Sequence, residues 1–459
     1  MPEADVVFRH AQIVSPWGVQ PGDVAVRDGR ISAVALPGEG PSAARTVDAR
    51  GKHLLPGVID PHVHLTSNGR SLAQGCREET PSMAAGGVTT CLHFAQATES
   101  YHPVLAEAAD VVREHALIDV GFHAILMLEQ HVEEIPEYAA RYDVRSFKMY
   151  MAAKGAQLYP GTIAVDDGLV YRAFGAIRDL GPPAIAQVHA ENWEIAWALT
   201  AELQRAGRRD PAAWTDARPA LCEEEAIRRA IFLAGQQRCP LYVVHASIGQ
   251  TGRLVAEARA KGVEVVAETC PHYLTVHKDH PLALLAKYNP AIKEAHDCEG
   301  LWEGLRDGLI STMGSDHIPV RAIDKDPTGK DIWTVRGGLP GSGTILPVLL
   351  SEGVHKGRLT LEQVAAVTSY NAARLFGLYP RKGLIAVGAD ADLVLVDLER
   401  EVVLRPELLQ LDFVLYDGWT FHGWPELTMV RGQVVVEGGQ VVGQPGRAQC
   451  VNQAAASRL

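Results

Sequence analysis

The polar and apolar positions of this chain change pattern twice. Near the start, DVVFRHAQIV and GDVAVRDGRISAVAL alternate as half-buried strands do, and the second contains the Asp-Gly turn of a hairpin. The far end repeats this in ADLVLVDLER and in TMVRGQVVVEGGQVVG, a hairpin closed by Gly-Gly. Between these ends, short β-branched runs alternate with helical stretches such as EEEAIRRAIFLAGQQ and TGRLVAEARAKG. The runs are LLPGVIDPHVH, GVTTCLHFA, LIDVGFHAIL, RSFKMYMA, AIAQVHAE, LYVVHAS, VEVVAETC and ISTMGSDH. A strand-and-crossover unit repeated this often predicts an α/β fold, a (β/α)8 TIM barrel over 56–380. A small β-sandwich domain built from both termini, 1–55 and 381–445, completes it, with 446–459 as a tail. A doubly wound sheet competes, but no G-x-G-x-x-G follows the first strand.

The length of 459 residues fits one large domain with a satellite. Hydrophobic residues at 47% against 21% charged exclude global disorder. A formal net charge of −12 argues against nucleic acid or an anionic membrane as partner and leaves a small-molecule substrate. The 7 cysteines are an odd number without a C-x-x-C pair, which fits reduced thiols in a cytoplasm. There is no apolar run of about 18 residues to span a bilayer, and the acidic N-terminus is not a signal peptide.

Metal-ligand residue types fall at the ends of the inferred strands, where barrels build active sites. His62 and His64 form an H-x-H that ends the first strand, and a spacing of two puts both rings on one face. His189, His245 and Asp316 end the fifth, sixth and eighth strands. Each has a bland reading: a surface pair, a satisfied core histidine, a helix cap before Pro319. Lys148, on the fourth strand, either snorkels outward past a helix, the simpler reading, or reacts with carbon dioxide to bridge two metals. His317 reads as a neighbour of the site, and Trp193 and Trp197 as packing. Gly337–Gly343 lacks the G-K-[ST] of a phosphate cradle and reads as a substrate loop.

The ordered set GVIDPHVHL, SFKMYM, VHAEN, VVHAS, ETCPHYL, SDH and KGLIAVGADADLVLVDL resembles the amidohydrolase superfamily. Within it the chain is similar to the hydantoinases, dihydropyrimidinases, allantoinases and type I dihydroorotases. The resemblance implies a binuclear-metal hydrolase that opens a cyclic amide by attack of a metal-bridging hydroxide on the ring carbonyl. It also implies two divalent ions, zinc by family habit, with a carbamate on Lys148. His62, His64, Lys148 and Asp316 would hold one ion, and Lys148, His189 and His245 the other. Asp316 would shuttle the proton, with Tyr150 and His272 as further catalytic residues and a homotetramer or dimer as the assembly. A non-catalytic assembly homologue, the alternative from another class, would have lost these ligands.

Departures from the family pattern concern the substrate. Leu65-Thr66-Ser67 follows His64 where dihydroorotases place a carboxylate-gripping arginine. Ala153 stands where hydantoinases carry an oxyanion-stabilising tyrosine, and Gly337 where they carry an asparagine. ETCPHYL and Asn289-Pro290-Ala291-Ile292-Lys293 lean toward allantoinases and dihydroorotases. The expected pocket uses Asn289, Gly338, Leu65, Leu158 and Tyr159, and takes a neutral ring amide or imide.

Overall fold

A computed structural model describes residues 2–151, 157–159 and 161–451. Eight parallel strands run Val58–Val63, Val88–Ala95, Asp119–Ile125, Ser146–Tyr150, Ile185–His189, Leu241–Val243, Val265–Thr269 and Thr312–Met313. They neighbour one another in sequence order. A parallel bridge between Val63 and His317 closes the last strand onto the first. The first five strands are buried at every position, because the barrel packs one face and its helices cover the other. Side chains capable of it start the helices after these strands. Ser71 and Gln74 form a capping box for Leu72–Ala85, and Asn192 caps Trp193–Arg205 three residues after His189.

Both chain ends meet in one hydrogen-bonded sheet of nine strands. His53–Pro56 pairs in parallel with Ala4–Ser15 and antiparallel with Leu393–Val403, so it joins the two halves. One apolar cluster, including Phe8, Ile13, Val24, Leu54, Leu393 and Met429, draws on both halves and is the core of this domain. The chain passes from this sheet into the barrel between Pro56 and Val58. Part of the expected tail is docked: Val451 is buried, and Cys450 bridges to Val120 at the base of the third barrel strand.

A buried charge cluster fastens the seam between the two domains. The Lys382 ammonium donates to Asp119 at 2.8 Å and to Asp392, and lies 3.3 Å from Asp390. Arg431 reaches the same Asp119 at 3.1 Å. Burial opposes the charge on Lys382, but its three aspartates outweigh that and hold the amine above the ordinary lysine value.

Candidate metal centre

The strand ends converge at the barrel mouth. His62 Nε2 and His64 Nε2 lie 3.1 and 3.2 Å from the same oxygen of Asp316, so the H-x-H and the last strand share one point. His189 Nδ1 and His245 Nε2 face each other at 3.0 Å. Lys148 Nζ is fully buried, 4.7 Å above the Phe94 ring and 5.0 Å from that of Tyr150, with no hydrogen-bond partner among the described residues. His245 Nδ1 is likewise unpartnered. His245 and Asp316 both adopt left-handed backbone, with φ of 39° and 49°. Strain of this kind at non-glycine residues, roughly 1–3 kcal/mol each, persists where surrounding structure enforces it.

The electrostatics suit ligands at three of the four imidazoles, whereas at His62 burial is outweighed by Asp316 and Glu268, which raise it. Burial lowers His64 to about 4, His189 below the ordinary histidine value and His245 well below it, which leaves neutral imidazoles able to bind a metal. Burial opposes charge on Asp316 too, but the imidazoles of His62 and His64 outweigh it and hold the carboxyl well below the usual range. Burial likewise lowers the Lys148 amine to about 8. A buried amine without an acceptor is costly as it stands. Together with the facing imidazole nitrogens, it fits a site built to receive cations and a modified lysine.

Glu268, on the seventh strand, was not singled out from the sequence. Its carboxylate accepts from His62 Nδ1 at 2.7 Å, from Tyr242 at 2.8 Å and from the His245 backbone at 2.9 Å. It thereby orients the His62 ring and the strand end that carries His245. Room for it depends on Gly314, where a Cβ would lie 2.4 Å from the Glu268 carboxyl carbon. The only signal in the sequence was an acid inside an otherwise apolar strand.

A cavity of about 790 Å³ opens over the centre. His64, Tyr150, His189, His245, Asn289, Asp316 and Gly338 line it, while His62 and Lys148 lie beneath. Leu65 does not: its side chain packs in the apolar core against Gly75, because the chain turns inward after His64. His272 also lies outside the cavity wall. Its buried ring lies 4.7 Å from that of Tyr288 at a tilt of 31°, and the Tyr288 hydroxyl donates to the Asp316 carbonyl. Ala153 and the side chains of Leu158 and Tyr159 lie outside the described residues. His317 turns away to Glu79 at 2.9 Å. Trp193 packs 5.9 Å from the His189 ring. Arg70, Lys287 and Arg336 also line the cavity, although no cation follows His64 directly.

The family model described as "Amidohydrolase family" matches residues 53–435. The chain belongs to the amidohydrolase family. This amidohydrolase is 38% identical to an allantoinase of Rubrobacter xylanophilus, over 96% of each chain. It is 34% identical to an L-hydantoinase of Paenarthrobacter aurescens, over 97% of this chain and 98% of the relative. The solved L-hydantoinase (dihydropyrimidinase) from Arthrobacter aurescens superposes with a TM-score of 0.90 at 33% identity, covering 98% of this amidohydrolase and 100% of that chain. The amidohydrolase is therefore a hydrolase of the hydantoinase and allantoinase type, and its eight-stranded barrel with a terminal sheet is the fold the sequence predicted. Among the described residues no helix is long and apolar enough to cross a membrane.

Proposed function

We propose that this amidohydrolase opens the ring of a small cyclic amide, such as a hydantoin or dihydropyrimidine, using two divalent ions. Zinc is the metal proposed. His62, His64, Lys148, His189, His245 and Asp316 would hold the ions, with Lys148 as its carbamate: its neutral amine adds to carbon dioxide, an N–C bond forms and a proton leaves. When bound, the ions supply an acidified water and a Lewis acid for the ring carbonyl. The chain's own residues do the rest. Asp316 accepts the proton of the attacking water and returns it to the ring nitrogen as the C–N bond breaks. Tyr150 stands in the cavity wall to donate to the developing oxyanion, and Asn289 with the backbone at Gly338 holds the ring edge. His272 acts through Tyr288 on the position of Asp316.

The observation that carries this reading is the unpartnered Lys148 amine beneath four converging imidazoles and a carboxylate. Metal analysis by atomic emission tests it together with turnover of hydantoin, dihydrouracil, allantoin and dihydroorotate. Two equivalents of metal per chain and turnover of at least one neutral ring are expected. A metal-free chain that retains full turnover refutes it. A second reading, an allantoin-type ring bearing a polar exocyclic group, is favoured by Gln96, Asn289 and Arg336 in the cavity wall. In that case allantoin outpaces hydantoin in the same screen.

The proposal extends to a homo-oligomer, dimer or tetramer, working in the cytoplasm. All 7 cysteines are free, and 6 of them are buried, which suits a reducing compartment. Light scattering on the purified protein reads the assembly directly.

A further inference from the structure

A second cavity of about 710 Å³ lies in the terminal sheet, where Arg431 reaches Asp119 at the start of the third barrel strand. Two hairpin turns from opposite chain ends build its floor. The Asp28-Gly29 turn meets Arg431-Gly432 backbone to backbone, and a Cβ on Gly432 would lie 2.8 Å from the Gly29 Cα. Both glycines have left-handed backbone, with φ of 79° and 77°, so the contact requires glycine at each tip. Around this floor stand five arginines: Arg30, Arg45, Arg381, Arg431 and Arg447.

The protein uses few of their N–H groups. Arg30 gives one to the Gly388 carbonyl at 2.9 Å, and Arg45 pairs with Glu437. Arg431 bonds Asp119 and the Arg447 carbonyl. Arg381 lies 3.4 Å from Asp390, and its Nε and Nη2 are buried without a hydrogen bond among the described residues. The Arg447 guanidinium has no hydrogen bond or ion pair among the described residues. Three aspartates share the cavity with them: Asp5 accepts from the Asp28 backbone at 2.8 Å, the exposed Asp28 carboxylate lies 3.7 Å from Arg27, and Asp390 neighbours Lys382 and Arg381. An arginine cluster of this kind runs against the net charge of −12.

We propose that this cavity binds a small polyanion carrying two or more oxyanion groups. Planar guanidinium forks match phosphate and carboxylate oxygens bidentately, and several such forks around one cavity suit a ligand with several such groups. Through Arg431 and its bond to Asp119, the ligand would also brace the seam between sheet and barrel.

Binding of inorganic pyrophosphate to the metal-loaded enzyme by calorimetry tests this, with Tm measured alongside. The comparison is with a double variant, R30Q/R447Q, which removes two guanidiniums with one or no protein partner and leaves the metal centre intact. Any chelation of active-site metal acts equally on both proteins, so their difference isolates the cavity. Saturable binding by the wild type, a Tm rising with pyrophosphate concentration, and affinity weaker by about tenfold or more in the variant are expected. Tricarballylate serves as a second probe: binding of both supports general oxyanion recognition, and pyrophosphate alone narrows the site to phosphates. Equal affinity in the two proteins overturns the proposal, as does a wild-type Tm that responds to pyrophosphate only as it does to sodium chloride at matched ionic strength.

Discussion

Lys148 and Lys382 are both fully or almost fully buried, yet their surroundings are opposite. Lys382 has three aspartates within 3.3 Å, and its charge is matched. Lys148 has aromatic rings around it and no acceptor among the described residues, and its amine is lowered to about 8 by burial. Matched charge on every side describes a strut. An unmatched amine beneath facing imidazoles describes a candidate binding site. Burial alone does not distinguish the two, whereas the accounting of hydrogen bonds does.

The largest expected effect breaks the comparison at Lys148. Lys148→Met should abolish turnover and metal retention while the chain still folds, since it replaces an unpaired amine by an apolar side chain of similar length. Circular dichroism with metal analysis and a rate assay checks all three. Asp316→Asn should lower kcat by roughly 10²–10⁴ with the fold retained, read by steady-state kinetics.

Next in size, Lys382→Met removes the cation shared by three buried carboxylates, of which Asp119 keeps Arg431 and Asp390 keeps Arg381, and should destabilise by about 3–5 kcal/mol in urea unfolding, with little change in kcat for the fraction that stays folded. The pH dependence follows the same line. A lysine held above its ordinary value contributes fully below about pH 10.5 and loses that contribution as pH rises through its folded value. Wild type should therefore lose stability in strong alkali faster than Lys382→Met.

Glu268→Gln should weaken metal affinity about 10–100-fold in a chelator competition, because the amide no longer accepts from His62 as strongly. The smallest effect concerns an intermediate case. Glu223 lies 3.9 Å from Lys293 and accepts two bonds from Ser247, yet burial raises it to about 7. The folded state then holds its proton more tightly than the unfolded chain between about pH 4.5 and 7, so this group makes stability fall as pH rises through that window. The stability difference between Glu223→Gln and wild type should shift in the variant's favour across the same window.

Much of the centre was legible because strand ends are local. A histidine or aspartate that ends an apolar run is visible in ten residues of sequence, and eight such runs fixed where each would stand. What was hidden depends on distance along the chain. Asp119 and Lys382 are 263 residues apart, so neither looks paired until the fold is seen. Glu268 reads as a stray acid until His62, 206 residues earlier, is brought to it. Leu65 misled for the opposite reason, since adjacency to His64 suggested the cavity while the turn sends its side chain to the core. Arg70, Lys287 and Arg336 reach the cavity from three loops, which no single motif reveals.

The sheet shared by both termini also sets an order of assembly on the ribosome. The barrel is a contiguous stretch whose strands each pair with a neighbour in sequence, so it can close as it emerges. The sheet cannot: His53–Pro56 needs Leu393–Val403, and Arg30 finds its Gly388 partner 358 residues later. His53–Pro56 therefore keeps a strand edge uncovered until Leu393–Val403 is made, the state in which nascent chains engage chaperones or one another. In this protein, the vulnerable moment in biogenesis lies at the amino terminus and ends only when the last strands are made.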